Sequence, residues 1–242
     1  MTEKNQHGLP RYIPEDIKKA VRKRDGFGCI LCAVPIVDYE HVDPLFTDAH
    51  EHKAECITLL CPNCHRKVTG GQISKDIVKA AMLSPAAKKT GQIGDQIYFC
   101  DVHPEIIFAG ARFTNCQIPI RAFGEDIVFI EQEDEKFFLT AKLWDSCGNQ
   151  TLQIKRNQWI ASTDNIWDFK VIGNRFHIQE KEQKPAMIIR VENNSSLIIE
   201  RFDMLLNNSM RFTGDQDKVT LNGTVYQTMS ISDCVYGMIL GF

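Results

Sequence analysis

Two pairs of cysteines with the same short spacing occur in the first third of the chain, Cys29-x-x-Cys32 and Cys61-x-x-Cys64. A C-x-x-C loop lets two sulfur atoms reach one tetrahedral ion, and two such loops supply the four thiolates of a closed structural zinc site. The 28 residues between the pairs exceed the usual zinc-ribbon spacing, so a sizeable element must lie between them. The pattern predicts a structural Zn²⁺; the alternative is four buried free thiols.

An acid and two histidines lie within this frame. Glu40 directly precedes His41, and His65 directly follows Cys64. Hydrolysis of a phosphodiester bond needs a base to deprotonate water and a cation to offset charge on the phosphate and the leaving oxygen. A histidine with an ordinary pKa, about 6.5, is largely neutral at a pH above this value and can then accept the proton. Because four thiolates complete a zinc site, His65 is available for this second kind of chemistry.

Three motifs from this region resemble one known family. The motifs are FGCILC, YEHVDP and ITLLCPNCHRK, in that order, and together they resemble the HNH endonucleases, which have the ββα-metal fold. The resemblance covers roughly residues 11–85. It implies that His41 is the general base, and that Glu40 and His65 bind one catalytic divalent ion such as Mg²⁺, Mn²⁺ or Ni²⁺.

One position departs from the family's pattern. The family usually has an asparagine before the apolar run that leads to the last C-x-x-C pair, and Cys56 occupies that position here. Cysteine is a poor ligand for a hard ion such as Mg²⁺ and a weak hydrogen-bond former. Three interpretations remain open. The ion is softer (Zn²⁺, Mn²⁺ or Ni²⁺), His50 or His52 supplies a ligand, or the site binds DNA without catalysis.

Basic residues cluster on a predicted helix that begins at Pro14 and ends at Asp25-Gly26, with Glu15 and Asp16 in its first turn. Their spacing favours contact with DNA phosphates, whereas the alternative is a solvated helix face. A second basic pair follows His65. The candidate residues for binding double-stranded DNA are Lys18, Lys19, Arg22, Lys23, Arg24, Arg66 and Lys67.

The hydrophobic pattern changes after residue 96. Up to residue 88 it predicts the small zinc-stabilised domain, which includes a short helix capped by Ser74, and residues 89–96 predict a linker. Residues 97–242 have the period of two that is typical of strands, with a β-hairpin formed by EKFFLTAKLWD, the turn DSCGN and TLQIKRNQW. We therefore expect an α+β protein: a ββα-metal domain followed by an all-β sandwich, barrel or short β-solenoid.

Composition restricts the function classes. The 242 residues contain no apolar run of about 18, and the polar start lacks the apolar core of a signal peptide, which favours a cytoplasmic protein without membrane contact. Residues 1–90 carry a net charge of +3 and residues 91–242 one of −6. The acidic half is poorly suited to binding DNA. A further hypothesis is therefore that the β domain senses a ligand or holds a protein partner, with the zinc domain as effector.

Overall fold

Helices and strands are distributed unevenly along the chain. In this computed structural model, which describes residues 4–182 and 184–241, the helices lie before residue 91 and the later regular elements are strands. The fold is mostly β, and the chain divides into two units, one ending at Gly94 and the other beginning at Asp95. The segment 89–96, predicted as a linker, instead contains the end of one helix and a strand.

In its described residues, from 4 onwards, the first unit has four α-helices and a two-stranded sheet. In chain order the elements are α1 (Glu15–Asp25), β1 (Asp38–His41), a 3-10 turn (Ala54–Cys56), β2 (Ile57–Leu60), α2 (Pro62–Thr69), α3 (Lys75–Leu83) and α4 (Ala86–Thr90). Strand β3 (Gln92–Gln96) runs across the boundary between the units.

Helix α1 confirms the prediction for its segment. Acidic residues occupy its first turn, and Gly26 ends it in the left-handed region (φ 80°), with its N–H donating to the carbonyl of Arg22. The helix is attached to the sheet through Asp25, whose buried carboxylate accepts from Thr58 Oγ1 at 2.7 Å and from Leu59 N–H at 2.9 Å. These contacts hold α1 against β2.

Strands β1 and β2 pair in antiparallel register, with Glu40 opposite Thr58 and His41 opposite Ile57. Side chains two apart on a strand share a face. Ile57 and Leu59 accordingly pack in a cluster with Val21 of α1, while Leu60 belongs to a second cluster with the cysteines, Val68 and Val78. Each cluster is small, so this unit gains much of its stability from other contacts.

The second unit consists of fourteen described strands. They are β4 (Glu105–Phe108), β5 (Ala111–Ala122), β6 (Glu125–Glu133), β7 (Lys136–Trp144), β8 (Gln150–Lys155), β9 (Gln158–Ser162), β10 (Asp168–Ile172), β11 (Arg175–Lys181), β12 (Lys184–Glu192), β13 (Ser196–Leu206), β14 (Met210–Asp215), β15 (Lys218–Leu221), β16 (Thr224–Gln227) and β17 (Met229–Leu240). Most neighbours in sequence pair in antiparallel fashion, which confirms the predicted hairpin between β7 and β8.

The strands form one curled sheet. Two of its pairs are parallel and join distant parts of the chain: β4 with β13, and β5 with β17. Aromatic side chains fill the interior of this unit, among them Phe108, Phe202 and Phe212, whose ring centroids lie 4.7–6.2 Å apart. The prediction of a β-rich second part of the chain is thus confirmed for the described residues, as one curled sheet.

Candidate functional site

The four cysteines of the two C-x-x-C pairs lie together, which confirms the prediction that both pairs contribute to one cluster. Their sulfur atoms all lie within 4.8 Å of one another. The Sγ of Cys32 is 3.6 Å from that of Cys61 and 3.8 Å from that of Cys64. A tetrahedral zinc ion with Zn–S bonds of about 2.3 Å places its sulfur atoms about 3.8 Å apart. This cysteine cluster (Cys29, Cys32, Cys61 and Cys64) therefore has the spacing that a zinc ion needs.

Local backbone geometry brings the sulfurs of each pair together. The carbonyl of Cys29 accepts from the N–H groups of Cys32 and Ala33, and Ala33 adopts φ 63° to close the loop. Gly28 is required beside it, because a Cβ there would come within 2.7 Å of the Ala33 carbonyl oxygen. In the second pair, Cys61 caps helix α2, and its sulfur accepts from the N–H of Cys64 at 3.4 Å.

Ionisation within the cluster is uneven. A hydrogen bond with Cys32 lowers the pKa of the Cys29 thiol to about 5, and the same contact raises the pKa of Cys32. Burial raises the pKa of Cys64 to about 12. Since thiolates at these distances repel one another, four of them need a divalent cation among them, and zinc deprotonates coordinating thiols. The chemistry of the donor set thus fits zinc as well as its spacing does.

Glu40 of β1 and His65 of α2 lie side by side. The Oε2 atom of Glu40 is 3.0 Å from the Nε2 atom of His65, and both side chains are partly exposed. His65 lies one residue beyond the cysteine cluster, and its backbone N–H donates to the carbonyl of Cys61 at 2.8 Å. A carboxylate oxygen and an imidazole nitrogen at this distance can serve one metal ion.

A lysine that the sequence did not point to completes this group. The Nζ atom of Lys75, at the start of α3, bonds to Oε1 of Glu40 and lies 3.5 Å from the carbonyl oxygen of His41. The two carboxylate oxygens of Glu40 therefore have different partners, an ammonium on one side and an imidazole on the other. The position of Lys75 after the Ser74 cap is typical of any helix start, so it carried no signal of this contact.

His41 is buried and contacts another histidine. Its Nε2 atom is 3.1 Å from Nδ1 of His52, and Nε2 of His52 is 2.9 Å from the carbonyl oxygen of Pro10. Burial lowers the pKa of His41, the charge of His52 lowers it further, and Glu40 opposes both. Of the two histidines considered as extra ligands, His52 is thus close to the site, whereas the ring of His50 contacts that of His7, with the centroids 3.9 Å apart and the planes tilted by 31°.

Cys56 contacts the strand that carries His41 through its backbone carbonyl. Its carbonyl oxygen accepts from the N–H of Val42 at 2.8 Å, at the end of the strand pair, and its thiol is half-buried. The side chain hydrogen-bonded to His41 Nε2 is that of His52. The H-x-H spacing of His50 and His52 is the feature of the sequence that could indicate this contact.

Glu40, His41 and His65 line one open cleft of about 570 Å³, together with the cationic side chains of Arg11 and Lys18. We call this the acid–histidine cleft. Arg11, like Lys75, was not predicted from the sequence. The cleft thus combines two carboxylates, Asp38 and Glu40, with imidazoles and two positive charges. With a divalent cation on the carboxylate side, such a set suits an anionic substrate.

Aromatic rings hold the two cations of the cleft. The guanidinium of Arg11 lies 5.2 Å from the ring centroid of Phe46, and the ammonium of Lys18 lies 4.8 Å from that of Tyr12. Such cation–π contacts restrict the movement of the side chains.

The other predicted DNA-contacting residues divide into two groups. Arg22 is buried and donates at 2.8 Å to the Tyr39 hydroxyl and to Glu15, so the prediction of a phosphate contact is wrong for it, because its charge stabilises the fold. Arg24 similarly donates to two backbone carbonyls. The side chains that stay at least partly exposed are Lys18, Lys19, Lys23, Arg24, Arg66 and Lys67.

No helix among residues 4–182 and 184–241 has the length and apolar character needed to span a membrane. In comparisons with known proteins, no family model, no curated protein and no solved structure matches the chain.

Proposed function

We propose that the first unit is a metal-dependent HNH endonuclease that hydrolyses DNA phosphodiester bonds, with β1, β2 and α2 as its ββα-metal finger. The observation that carries this proposal is the 3.0 Å contact between Glu40 and His65, with His41 next to Glu40 in the same cleft. The order of the motifs FGCILC, YEHVDP and ITLLCPNCHRK supports it independently.

In this proposal Glu40 and His65 hold one divalent ion. The ion supplies positive charge for the phosphate and the leaving oxygen. A site with one carboxylate and one imidazole suits Mn²⁺, Ni²⁺ or Zn²⁺ as well as Mg²⁺. His41 takes the proton from the attacking water, and its buried position, which lowers its pKa, favours the neutral imidazole that this role requires.

The zinc ion has a structural role in this proposal. Cys61 caps helix α2 and Cys64 lies in its first turn, so the cysteine cluster fixes the start of the helix that carries His65. Glu40 is on β1, which pairs with β2, and β2 ends directly before Cys61. Zinc therefore holds the two metal-ligating side chains at a constant separation, with few apolar residues to help.

Substrate binding rests on the two cations of the acid–histidine cleft. Arg11 and Lys18 line it together with the proposed catalytic groups. Contacts of this kind bind phosphates irrespective of base sequence, because they recognise charge. Arg66 and Lys67, exposed on α2 directly after His65, extend the basic surface. Double-stranded DNA is the substrate that we propose.

The decisive experiment is nicking of supercoiled plasmid by the full chain in Mg²⁺, Mn²⁺ or Ni²⁺, beside the His41→Ala variant. We expect the wild type to convert plasmid to the open circle in at least one metal, and the variant to be at least about 100-fold slower. Equal rates for the two proteins, or no cleavage in any metal, would refute the proposal.

One observation favours a second function, binding of DNA without cleavage. The ammonium of Lys75 is bonded to Glu40, where it adds positive charge beside a proposed metal ligand. If this charge replaces the ion, the finger binds DNA through its cations and does no chemistry. This alternative predicts salt-dependent DNA affinity that divalent ions do not raise, with no nicking in any of the three metals.

A further inference from the structure

Two hydrogen bonds in the first unit connect His41, His52 and the backbone carbonyl of Pro10 in series. The series runs from the backbone carbonyl of Pro10 to Nε2 of His52, and from Nδ1 of His52 to Nε2 of His41, over distances of 2.9 and 3.1 Å. His41 is 7% exposed, so water has little access to its contact with His52.

The positions of the protons follow from these hydrogen bonds. A carbonyl oxygen can only accept, so Nε2 of His52 must carry the hydrogen that it donates to Pro10. In the state in which both imidazoles are neutral, which is the state that a general base needs, each ring has one N–H, and Nδ1 of His52 is then an acceptor. Nε2 of His41 must then be the donor to it. In a neutral His41 the remaining nitrogen, Nδ1, consequently has the free lone pair.

We propose that His52 is a positioning residue that holds His41 in the Nε2–H tautomer and thereby makes Nδ1 the proton-accepting atom. The proposal rests on the role of His41 as the general base. It also explains how the site tolerates Cys56: the side chain that orients the base comes from His52, eleven residues after His41, and Cys56 contributes only its backbone carbonyl to this corner of the sheet.

The contribution of these two hydrogen bonds to catalysis is to orient the base. A histidine ring hydrogen-bonded at one nitrogen cannot flip or rotate freely, so the other nitrogen keeps its direction. Phe46 packs beside both rings, with centroid distances of 5.4 Å to His41 and 6.4 Å to His52. The ring of Phe46 therefore supports the same orientation without a polar contact.

The proton positions can be measured without any activity. We expect ¹⁵N NMR of the zinc-loaded wild type, at about pH 8 without a second metal, to place the His41 proton on Nε2. A scalar coupling through the hydrogen bond should connect this nitrogen to Nδ1 of His52. A proton on Nδ1 of His41, or on Nδ1 of His52, overturns the proposal.

Two substitutions test the role in the reaction. His52→Phe keeps a ring but removes the acceptor, and we expect kcat for plasmid nicking to fall about tenfold or more while KM changes little. His52→Asn keeps an amide oxygen as acceptor and should recover a large part of that loss. Zinc content identifies any variant that fails to fold. An unchanged kcat in His52→Phe overturns the proposal, as does a folded His52→Asn that is as slow as His52→Phe.

The two measurements also separate this inference from the nuclease proposal. If the coupling between the histidines is present and the wild type cleaves in no metal, the nuclease proposal fails and the proton arrangement is supported. If the wild type cleaves DNA and NMR places the His41 proton on Nδ1, the proposal about the His41 tautomer fails and the nuclease proposal stands.

Discussion

Glu40 and His65 are 25 residues apart in the chain, yet their Oε2 and Nε2 atoms lie 3.0 Å from each other. The contact exists because β1 pairs with β2 and the cysteine cluster joins the end of β2 to the start of α2. A cysteine that could bind zinc and a member of the proposed catalytic pair are thus adjacent in the chain, as Cys64 and His65. Several outcomes of mutation depend on this arrangement.

Loss of one zinc ligand should unfold the first unit. We expect Cys64→Ser to reduce bound zinc from about one ion per chain to a small fraction, because three thiolates hold zinc much less tightly than four. Cys56→Ser is the matched control, since Cys56 lies outside the cysteine cluster. Elemental analysis and a thiol-competition titration measure the zinc. Equal zinc in Cys64→Ser and the wild type would contradict the assignment.

Removal of the Lys75 charge should strengthen binding of the second metal. A unit positive charge about 4 Å from a divalent ion costs about 2 kcal/mol even in water, so Lys75→Met should lower the Kd for Mn²⁺ about tenfold or more. Lys79→Met is the control, because Lys79 pairs with the exposed Asp43 instead. Titration followed by Mn²⁺ paramagnetic resonance checks this. A Kd that is unchanged or higher in Lys75→Met would show that the ion does not bind at Glu40.

The sequence predicted the parts of this site that depend on local spacing. The C-x-x-C pairs, the start of α1 at Pro14 and its end at Gly26 are each defined by neighbouring residues, and the structure confirms them. The contact between Glu40 and His65 was expected only through the resemblance to a family. Lys75 and Arg11 were missed because their partners lie far away in sequence, and no periodicity encodes such contacts.

The same limit applies to the β unit. Alternation of apolar and polar residues predicted strands such as β7 and β8, and the turn at Gly148 predicted their hairpin. It could not predict that β4 pairs with β13, because a parallel pair joins segments that have no shared turn. The curled sheet is therefore a property of long-range pairing, which a single sequence does not display.

Asp25 should be among the most sensitive positions for stability. In Asp25→Ala the hydroxyl of Thr58 and the N–H of Leu59 lose their buried acceptor, and Arg24 loses its ion pair. We expect the free energy of unfolding of this unit to fall by about 2–4 kcal/mol. Release of zinc during urea titration reports on this unit, and Asp48→Ala, at an exposed carboxylate, is the control. A loss below about 1 kcal/mol would mean that these contacts are replaced in the variant.

Two basic residues of helix α1 should behave differently towards DNA. Lys18 lines the acid–histidine cleft, so Lys18→Ala should weaken DNA binding and reduce the slope of log K against log salt by about 0.9, with little change in stability. Arg22 is buried between Glu15 and Tyr39, so Arg22→Ala should lower the urea midpoint for zinc release. The salt slope should stay unchanged in Arg22→Ala protein that remains folded. Fluorescence anisotropy with a labelled duplex at several salt concentrations measures both slopes. The opposite pattern, a changed slope in Arg22→Ala and none in Lys18→Ala, would place the DNA on another face of the helix.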